Sequence, residues 1–379
     1  MNIMSRYPRN KSRRGVMAGV SLIEMMVSLT IGMLIIAGIG YAYLGTKQNY
    51  RSQDALSRMQ EGARTAFEIM AKDIRMAGFR GCPPNIATSG DINVLTAFSD
   101  WDKNLLGQPL IGYEKPSATA WSAFPGGVTG VVGHVANAGD ALTVLHADNS
   151  KEYFVASHNT ASSQMTLTAN HDNQQGEILI ASKEDCSRNA VFQKTNTCTL
   201  SAGSCGDKIV QHGSSSVTTT APLGSPAGTI DTFGAGSHIF RLSAVTYYIR
   251  TNDYSEPSLY RQVLGSSGTA PNNAPQELIE GVQDMQLSYG VDTTPTPDGA
   301  VDSYAAANAV PDWSKVLGVR ISLLMVSRSD EGGITASPQQ YALDRNGDGD
   351  VVDAGETVVP TDNLLRKVFT MTIAVKNRL

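Results

Sequence analysis

Catalytic signatures are what this 379-residue chain most plainly lacks. It contains no His-Glu-x-x-His pair, no Gly-x-Ser-x-Gly elbow and no Gly-rich phosphate loop, and its six histidines (134, 146, 158, 171, 212, 238) are scattered. Those absences remove the usual zinc-hydrolase, serine-hydrolase and nucleotide-hydrolase constellations, and no enzyme is expected. Cysteine is scarce: Cys82, Cys186, Cys198 and Cys205 only. Without a CxxC step or a His cluster, zinc is the weaker reading and disulfides in an exported protein the stronger. Three pairings are possible. Cys198–Cys205 is favoured as a short local loop, with Cys82–Cys186 tying the end of a helix to a sheet. Positive charge is also in short supply. The net charge is −5, and residues 1–19 hold five basic and no acidic residues, so the remainder carries −10. A chain that acidic offers no basic stripe for a nucleic acid.

What is present begins at the N-terminus. Arg6, Arg9, Lys11, Arg13 and Arg14 precede Gly19-Val20-Ser21-Leu22-Ile23-Glu24-Met25-Met26, and an apolar run continues to residue 44. About 20 apolar residues span a bilayer, and a basic flank orients the N-terminus toward the cytoplasm. Glu24 is the one charge in the run. A carboxylate near a bilayer centre costs about 2.5–3.5 kcal/mol, so a plain anchor leaves it unexplained. A cleaved secretory signal, with small residues at 37–42, is a further alternative. It accounts neither for the length of the run nor for Glu24.

Beyond residue 44, Leu56, Met59, Ala63, Phe67, Met70, Ile74 and Ala77 recur at three- and four-residue steps. The spacing predicts that one helix continues over 20–77, ended by Gly78 and by Pro83-Pro84, with an apolar stripe suited to packing on a sheet. Residues 82–139 read as a long loop region with room for one short helix or strand; Trp101, Trp121 and Phe124 anchor it to the sheet, with an exposed binding patch as the alternative. Short strands are expected at 141–146, 151–157, 164–169, 177–181 and 190–194. A polar excursion covers 201–237. Stronger strands are expected at 239–250, 258–264, 283–289, 317–327 and 367–375, with loops at 265–275 and 292–312. Alternation of Phe369, Met371, Ile373 and Val375 with Thr370, Thr372 and Ala374 is that of a half-buried antiparallel strand. These parts make an α+β protein, a long helix on an antiparallel sheet.

The Gly19 to Met26 segment resembles the class III signal of type IV prepilins. The resemblance implies cleavage between Gly19 and Val20 by a prepilin peptidase, methylation of the new N-terminus, and pairing of Glu24 with the terminal amine of a neighbouring subunit. Val20 departs from the Phe usual at the first mature position. Three further stretches narrow the likeness: residues 71–82 closing the helix, 278–289 entering a late strand, and 366–377 near the end. Together they are similar to the PilW group of minor pilins, which is itself similar to the J-type pseudopilins of type II secretion. The middle, 83–275, resembles no known family. The resemblance implies a type IV pilin fold with large loop and strand insertions, divided into a leader (1–19), a long helix (20–78, transmembrane over 20–44) and a β-rich periplasmic or extracellular domain (79–379). It implies a low-abundance subunit that primes pilus assembly near the tip. Its partners would be other minor pilins, the major pilin, the inner-membrane assembly platform and, before assembly, membrane lipid. A type II secretion pseudopilin and an adhesin-like module carried on a pilin stalk are the alternatives.

Asp344-Arg345-Asn346-Gly347-Asp348-Gly349-Asp350 places oxygen donors at alternate residues with Gly at the sixth position. It resembles the start of an EF-hand loop, and Ca²⁺ takes such oxygens. The twelfth position is Gly355, and Glu356 falls one residue late. The expected ligands are Asp344, Asn346, Asp348, the Asp350 carbonyl, and Asp353 or Glu356. The alternative is a solvated acidic turn.

Overall fold

The computed structural model describes residues 19–82, 91–95, 105–114, 139–198, 205–213, 231–267, 270–296, 298–328, 335 and 337–378. Arg6, Arg9, Lys11, Arg13 and Arg14, and the anchors Trp101, Trp121 and Phe124, lie outside these. The helix α1 (Leu22–Met76) comes first. No proline interrupts it, and the Glu24 side chain accepts the Ser21 amide at 3.1 Å, quenching one of the free donors of its first turn. It stops at Gly78, whose φ of +78° few side-chain-bearing residues adopt. The Phe79 amide closes the last turn on the Met76 carbonyl at 2.8 Å, and the Gly78 amide turns outward to the Leu145 carbonyl at 2.9 Å.

Two compact units divide the chain, one ending at Gln53 and one beginning at Asp54. In the first, the helix is solvent-exposed along almost its whole length, with Val20, Leu22, Leu34 and Ile36 each at least 70% exposed. In the second, Ala55, Met59, Ala63, Ala66, Phe67, Met70 and Ile74 form a buried face of the helix. Small residues at 55, 63 and 66 bring its backbone close to the sheet. Burying a side chain such as Met70 or Phe67 contributes about 1.5–3 kcal/mol.

Sixteen strands follow among the described residues. They are β1 (Ile92–Asn93), β2 (Leu110–Tyr113), β3 (Ala141–Asn159), β4 (Gln164–Leu167), β5 (Ile178–Ser182), β6 (Asn189–Gln193), β7 (Ile209–Gln211), β8 (His238–Thr251), β9 (Pro257–Ser267), β10 (Ala270–Glu280), β11 (Val282–Val291), β12 (Ser303–Ala305), β13 (Val316–Val326), β14 (Tyr341–Ala342), β15 (Thr357–Val358) and β16 (Arg366–Ala374). Ten of them form a sheet ordered β1-β6-β5-β8-β3-β4-β7, with β2 added on β3 and the β9–β10 hairpin on β8. The pairings are antiparallel except β1 with β6. A second, antiparallel sheet has the order β12-β11-β13-β16. The helix stripe enters one core with Met285, Leu287 and Tyr289 of β11, Ile321, Leu323 and Met325 of β13, and Val245, Tyr247 and Ile249 of β8. The architecture is thus α+β, with residues 54–76 of the helix packed where the two sheets meet.

The expected late strands appear within one or two residues at their starts, and four expectations change. The loop expected at 292–312 contains the short strand β12, paired with β11. The runs at 141–146 and 151–157 are one strand, β3, irregular between Asp148 and Tyr153. The expected loop at 265–275 belongs to the β9–β10 hairpin. Pro271 and Pro275 suggest a loop in sequence. They are tolerated because, among the described residues, β10 pairs with β9 alone, and an edge strand can do without those amides. The expected polar excursion at 201–237 contains β7 and the fully buried Phe233, apolar islands too short to show a period.

Two polar features fix the sheets. Gly139 and Asp140 cross β11: the Gly139 amide donates to Asp284 Oδ1 (3.1 Å), the Asp140 amide donates to the Met285 carbonyl (2.6 Å), and Asp140 Oδ2 accepts the Leu287 amide (2.8 Å). A Cβ at 139 would stand 1.9 Å from the Met285 carbonyl oxygen, so only glycine fits. Asp73, on the buried side of α1, is 4% exposed. Tyr247 Oη donates to its Oδ2 at 2.6 Å, Arg261 stands at 3.3 Å, and His146 Nε2 lies 3.6 Å from Oδ1, an ion-pair distance too long for a hydrogen bond. Burial pushes the Asp73 pKa up, but His146, Tyr247 and Arg261 more than offset it and hold the carboxyl below its usual value.

The cysteines pair as Cys82–Cys186 and Cys198–Cys205. The first joins the segment after α1 to the turn between β5 and β6.

Candidate functional site

Two stretches hold the residues singled out by sequence. In the first, Gly19, Val20 and Ser21 lead into α1, and Val20 is 70% exposed. The helix is long and apolar enough over its first part to cross a membrane. The Glu24 carboxylate folds back on the Ser21 amide, and the Ser21 carbonyl accepts the Met25 amide at 3.1 Å. The charge in the apolar run therefore has a local partner, a backbone donor that a stronger cationic donor could replace.

The second stretch is the acidic loop between β14 and β15. These two short strands pair Tyr341 with Val358 and Ala342 with Thr357, closing the loop at its base. Inside it, side-chain oxygens organise the backbone. Asp344 accepts the amides of Gly347 (2.7 Å) and Gly349 (3.0 Å), Asn346 that of Asp348, Asp348 that of Asp350, and Asp350 that of Val352. Carboxylate oxygens of Asp348, Asp350 and Asp353 lie within 4.8 Å of one another and are exposed. Opposed ligands of one Ca²⁺ are about 4.8 Å apart, so these three can share an ion. The Asn346 amide nitrogen already stands among them, donating to Asp348 (3.1 Å) and Asp353 (2.6 Å).

Glu356 sits differently. It is 2% exposed and accepts the amides of Arg345 (3.0 Å) and Asp353 (3.1 Å), so it ties the loop shut from within. Asp344 is half turned inward. Burial pushes its pKa up, the Gly347 and Gly349 amides oppose this, and the charges of Glu356 and Asp348 push it up further. The loop is moored to the sheet by Arg345, 2.9 Å from the buried Asp284. One nearby carboxylate escaped the sequence reading. Glu114, just after β2, accepts the Ala307 amide at 3.3 Å, and burial, with the charge of Asp344 adding to it, raises its pKa to about 6. Nothing in the sequence around Glu114 links it to a loop 230 residues away.

The donor set is all oxygen and strongly anionic, which suits a hard divalent cation and not a thiophilic metal.

No curated protein matches the chain. Among solved structures, the type IV-like pilin TTHA1219 from Thermus thermophilus aligns over 54% of this chain and 87% of its own length, with 12% identity and a TM-score of 0.22. Residues 246–377, about a third of the chain and the stretch that carries the four-stranded sheet, are similar to the family PilW, the Type IV Pilus-assembly protein W.

Proposed function

We propose that this chain is a pilin-like subunit of a type IV pilus, acting as a minor pilin that helps prime assembly. The observation that carries the reading is the match of residues 246–377 to the PilW family, downstream of an apolar helix that opens with Gly19-Val20 and carries Glu24. In this reading the protein is structural and not catalytic. A prepilin peptidase cuts after Gly19, Val20 becomes the methylated N-terminus, and the helix holds the subunit in the inner membrane with the β-rich domain outside the cytoplasm. On assembly, the terminal amine of a neighbouring subunit replaces the Ser21 amide as the partner of Glu24. Leaving lipid costs the helix its apolar burial, of order tens of kcal/mol gross at about 25 cal/mol per Å², so it leaves only for another apolar bundle. A carboxylate left unpaired there is strongly disfavoured, so Glu24 sets register.

The test is mass spectrometry of the N-terminus in membrane and sheared-pilus fractions. An N-methylated Val20 is expected in both, and Glu24→Ala should keep processing while depleting the protein from sheared pili at least ten-fold. An intact leader, or a cut near residue 42, would sink the reading. A deletion strain separates the roles: loss of pili supports assembly, whereas retained pili with lost attachment supports an adhesin, and a secretion defect with normal pili supports a type II pseudopilin.

The acidic loop is assigned Ca²⁺ in the same reading, held by Asp348, Asp350 and Asp353 with Asp344 and Asn346 completing the ring. A bound ion would relieve the mutual repulsion that raises Asp344. At a calcium concentration 100 times Kd, stabilisation of about 2.7 kcal/mol is expected. Thermal unfolding of the full chain in detergent, with calcium and then with chelator, reads this directly. A transition that does not move, or that moves equally in Asp348→Asn/Asp350→Asn, returns the loop to a solvated turn.

A further inference from the structure

His158 is the penultimate residue of β3, and His212 directly follows β7. Their Nε2 atoms are 3.0 Å apart. The Phe233 amide donates to His158 Nδ1 at 3.0 Å. His212 and Phe233 are both fully buried, and the rings of Phe233 and Phe192 close over the pair, with centroids 6.3 Å from His158 and 5.6 Å from His212 respectively.

A backbone amide can only donate, so His158 Nδ1 carries no proton. Neutral His158 therefore holds its proton on Nε2 and gives it to Nε2 of His212. That nitrogen must be bare, so His212 keeps its own proton on Nδ1. The contact fixes both tautomers. It also leaves no position for a metal, since the lone pair a metal would need on His158 Nε2 is a proton. Nor does it leave room for one more proton. On His158, a second N–H would face the Phe233 N–H; on His212, it would face the N–H of His158. Either event turns a hydrogen bond into two opposed donors.

We propose that the His158–His212 pair is an acid-sensitive latch. With both rings neutral it pins Phe233 and the end of β7 to the end of β3, and protonation of either ring releases them.

The surroundings agree. Burial, then the neighbouring His212, lowers the His158 pKa to about 4. A histidine kept neutral in the closed state and free to charge in the open one contributes its full share above about pH 6.5. That share shrinks as pH falls from there toward 4. Neighbouring elements bring few competing charges. β4 places Gln164, Met165 and Thr166 alongside. Lys194, past the end of β6, donates to the Asn196 carbonyl. Before β7, Lys208 donates to the Thr168 carbonyl, and Asp207 lies 3.5 Å from His171. His238 at the start of β8 pairs with Glu152 at 2.5 Å. Asp231, two residues before Phe233, is held by Lys183 and Arg188, which outweigh its burial and keep it below the usual carboxylate range. It stays ionised through the window. His171, at 3.0 Å from the Ile209 carbonyl and also lowered by burial, is the other histidine beside β7, and the His158/His212 variant below separates its contribution. Opening uncovers two phenylalanines from an otherwise apolar cluster that also holds Val155, Met165 and Val210.

Hydrogen exchange on the full chain in detergent tests this, with rates corrected for the intrinsic pH dependence and read at Phe233 and residues 209–212. Opening should be about thirty-fold more populated at pH 5 than at pH 7.5 from His158 alone. In His158→Gln/His212→Gln, whose amides can donate and accept without titrating, that dependence should flatten. Equal opening of the wild type at the two pH values, or a double variant that retains the full dependence, overturns the latch. If the double variant fails to fold, histidine-labelled NMR of the wild type decides. His158 or His212 titrating below pH 5 supports the latch, and both titrating near 6.5 removes it.

Discussion

Replacing Cys82 and Cys186 together by serine should cost about 4–5 kcal/mol, and lower the melting temperature of the β-rich unit by roughly 10 °C. The bond closes a separation of 104 residues, and in the chain-entropy account a loop of that length restricts the unfolded chain by about 4.7 kcal/mol. Native contacts would not make up the loss. Around Cys82 they are Arg80 with Asp91 at 2.5 Å, Asp91 with the Asn189 amide at 3.0 Å, and the Ser182 hydroxyl on the Arg80 carbonyl. Each is worth roughly 1–3 kcal/mol only while the segment is held in place. The control is internal. Cys198–Cys205 spans a separation of 7 residues and should be worth about 2 kcal/mol by the same account. Calorimetry on the two double variants compares them. If removing the long-range bond costs no more than removing the short one, loop entropy is not what this bond supplies.

Asp73→Ala is expected to destabilise the β-rich unit by about 2–4 kcal/mol, because it leaves the buried Tyr247 hydroxyl and the half-buried Arg261 without their anion. The effect carries a pH signature. The Asp73 carboxyl is held below its usual pKa, so its contribution is present above the unfolded value of about 3.9. It is lost as pH falls through the lower folded one. The stability gap between wild type and Asp73→Asn, measured by denaturant unfolding, should therefore be full at pH 7 and narrow below pH 4. A gap that does not narrow as pH falls below 4 would mean that the ionised Asp73 carboxylate is not what stabilises this cluster.

How far the sequence foretold the structure depended on the length of each pattern. The helix was legible because its stripe from Leu56 to Ala77 repeats over six turns, and β11, β13 and β16 because each is a run of nine or more residues rich in apolar side chains, with alternation in part of it. Asp73 lies three residues past Met70 and four before Ala77, so its place on the core side was available, yet no rule names the Tyr247 and Arg261 that satisfy it. β7 is three residues long and gave no period. The His158–His212 contact joins residues 54 apart through a pairing of β4 with β7 that depends on register, which composition does not encode. In the acidic loop the donors could be read in order. The inward turn of Glu356 and the approach of Glu114 could not, since both follow from tertiary packing.

The prolines of β10 also bear on how this protein meets its neighbours. Pro271 and Pro275 are four residues apart, so the positions where their N–H groups would be lie on the same side of the strand, away from β9. A strand arriving from another molecule would seek a row of donors there and find two missing. Among the described residues, the longest open border of the large sheet is thus a poor template for chain-to-chain sheet extension.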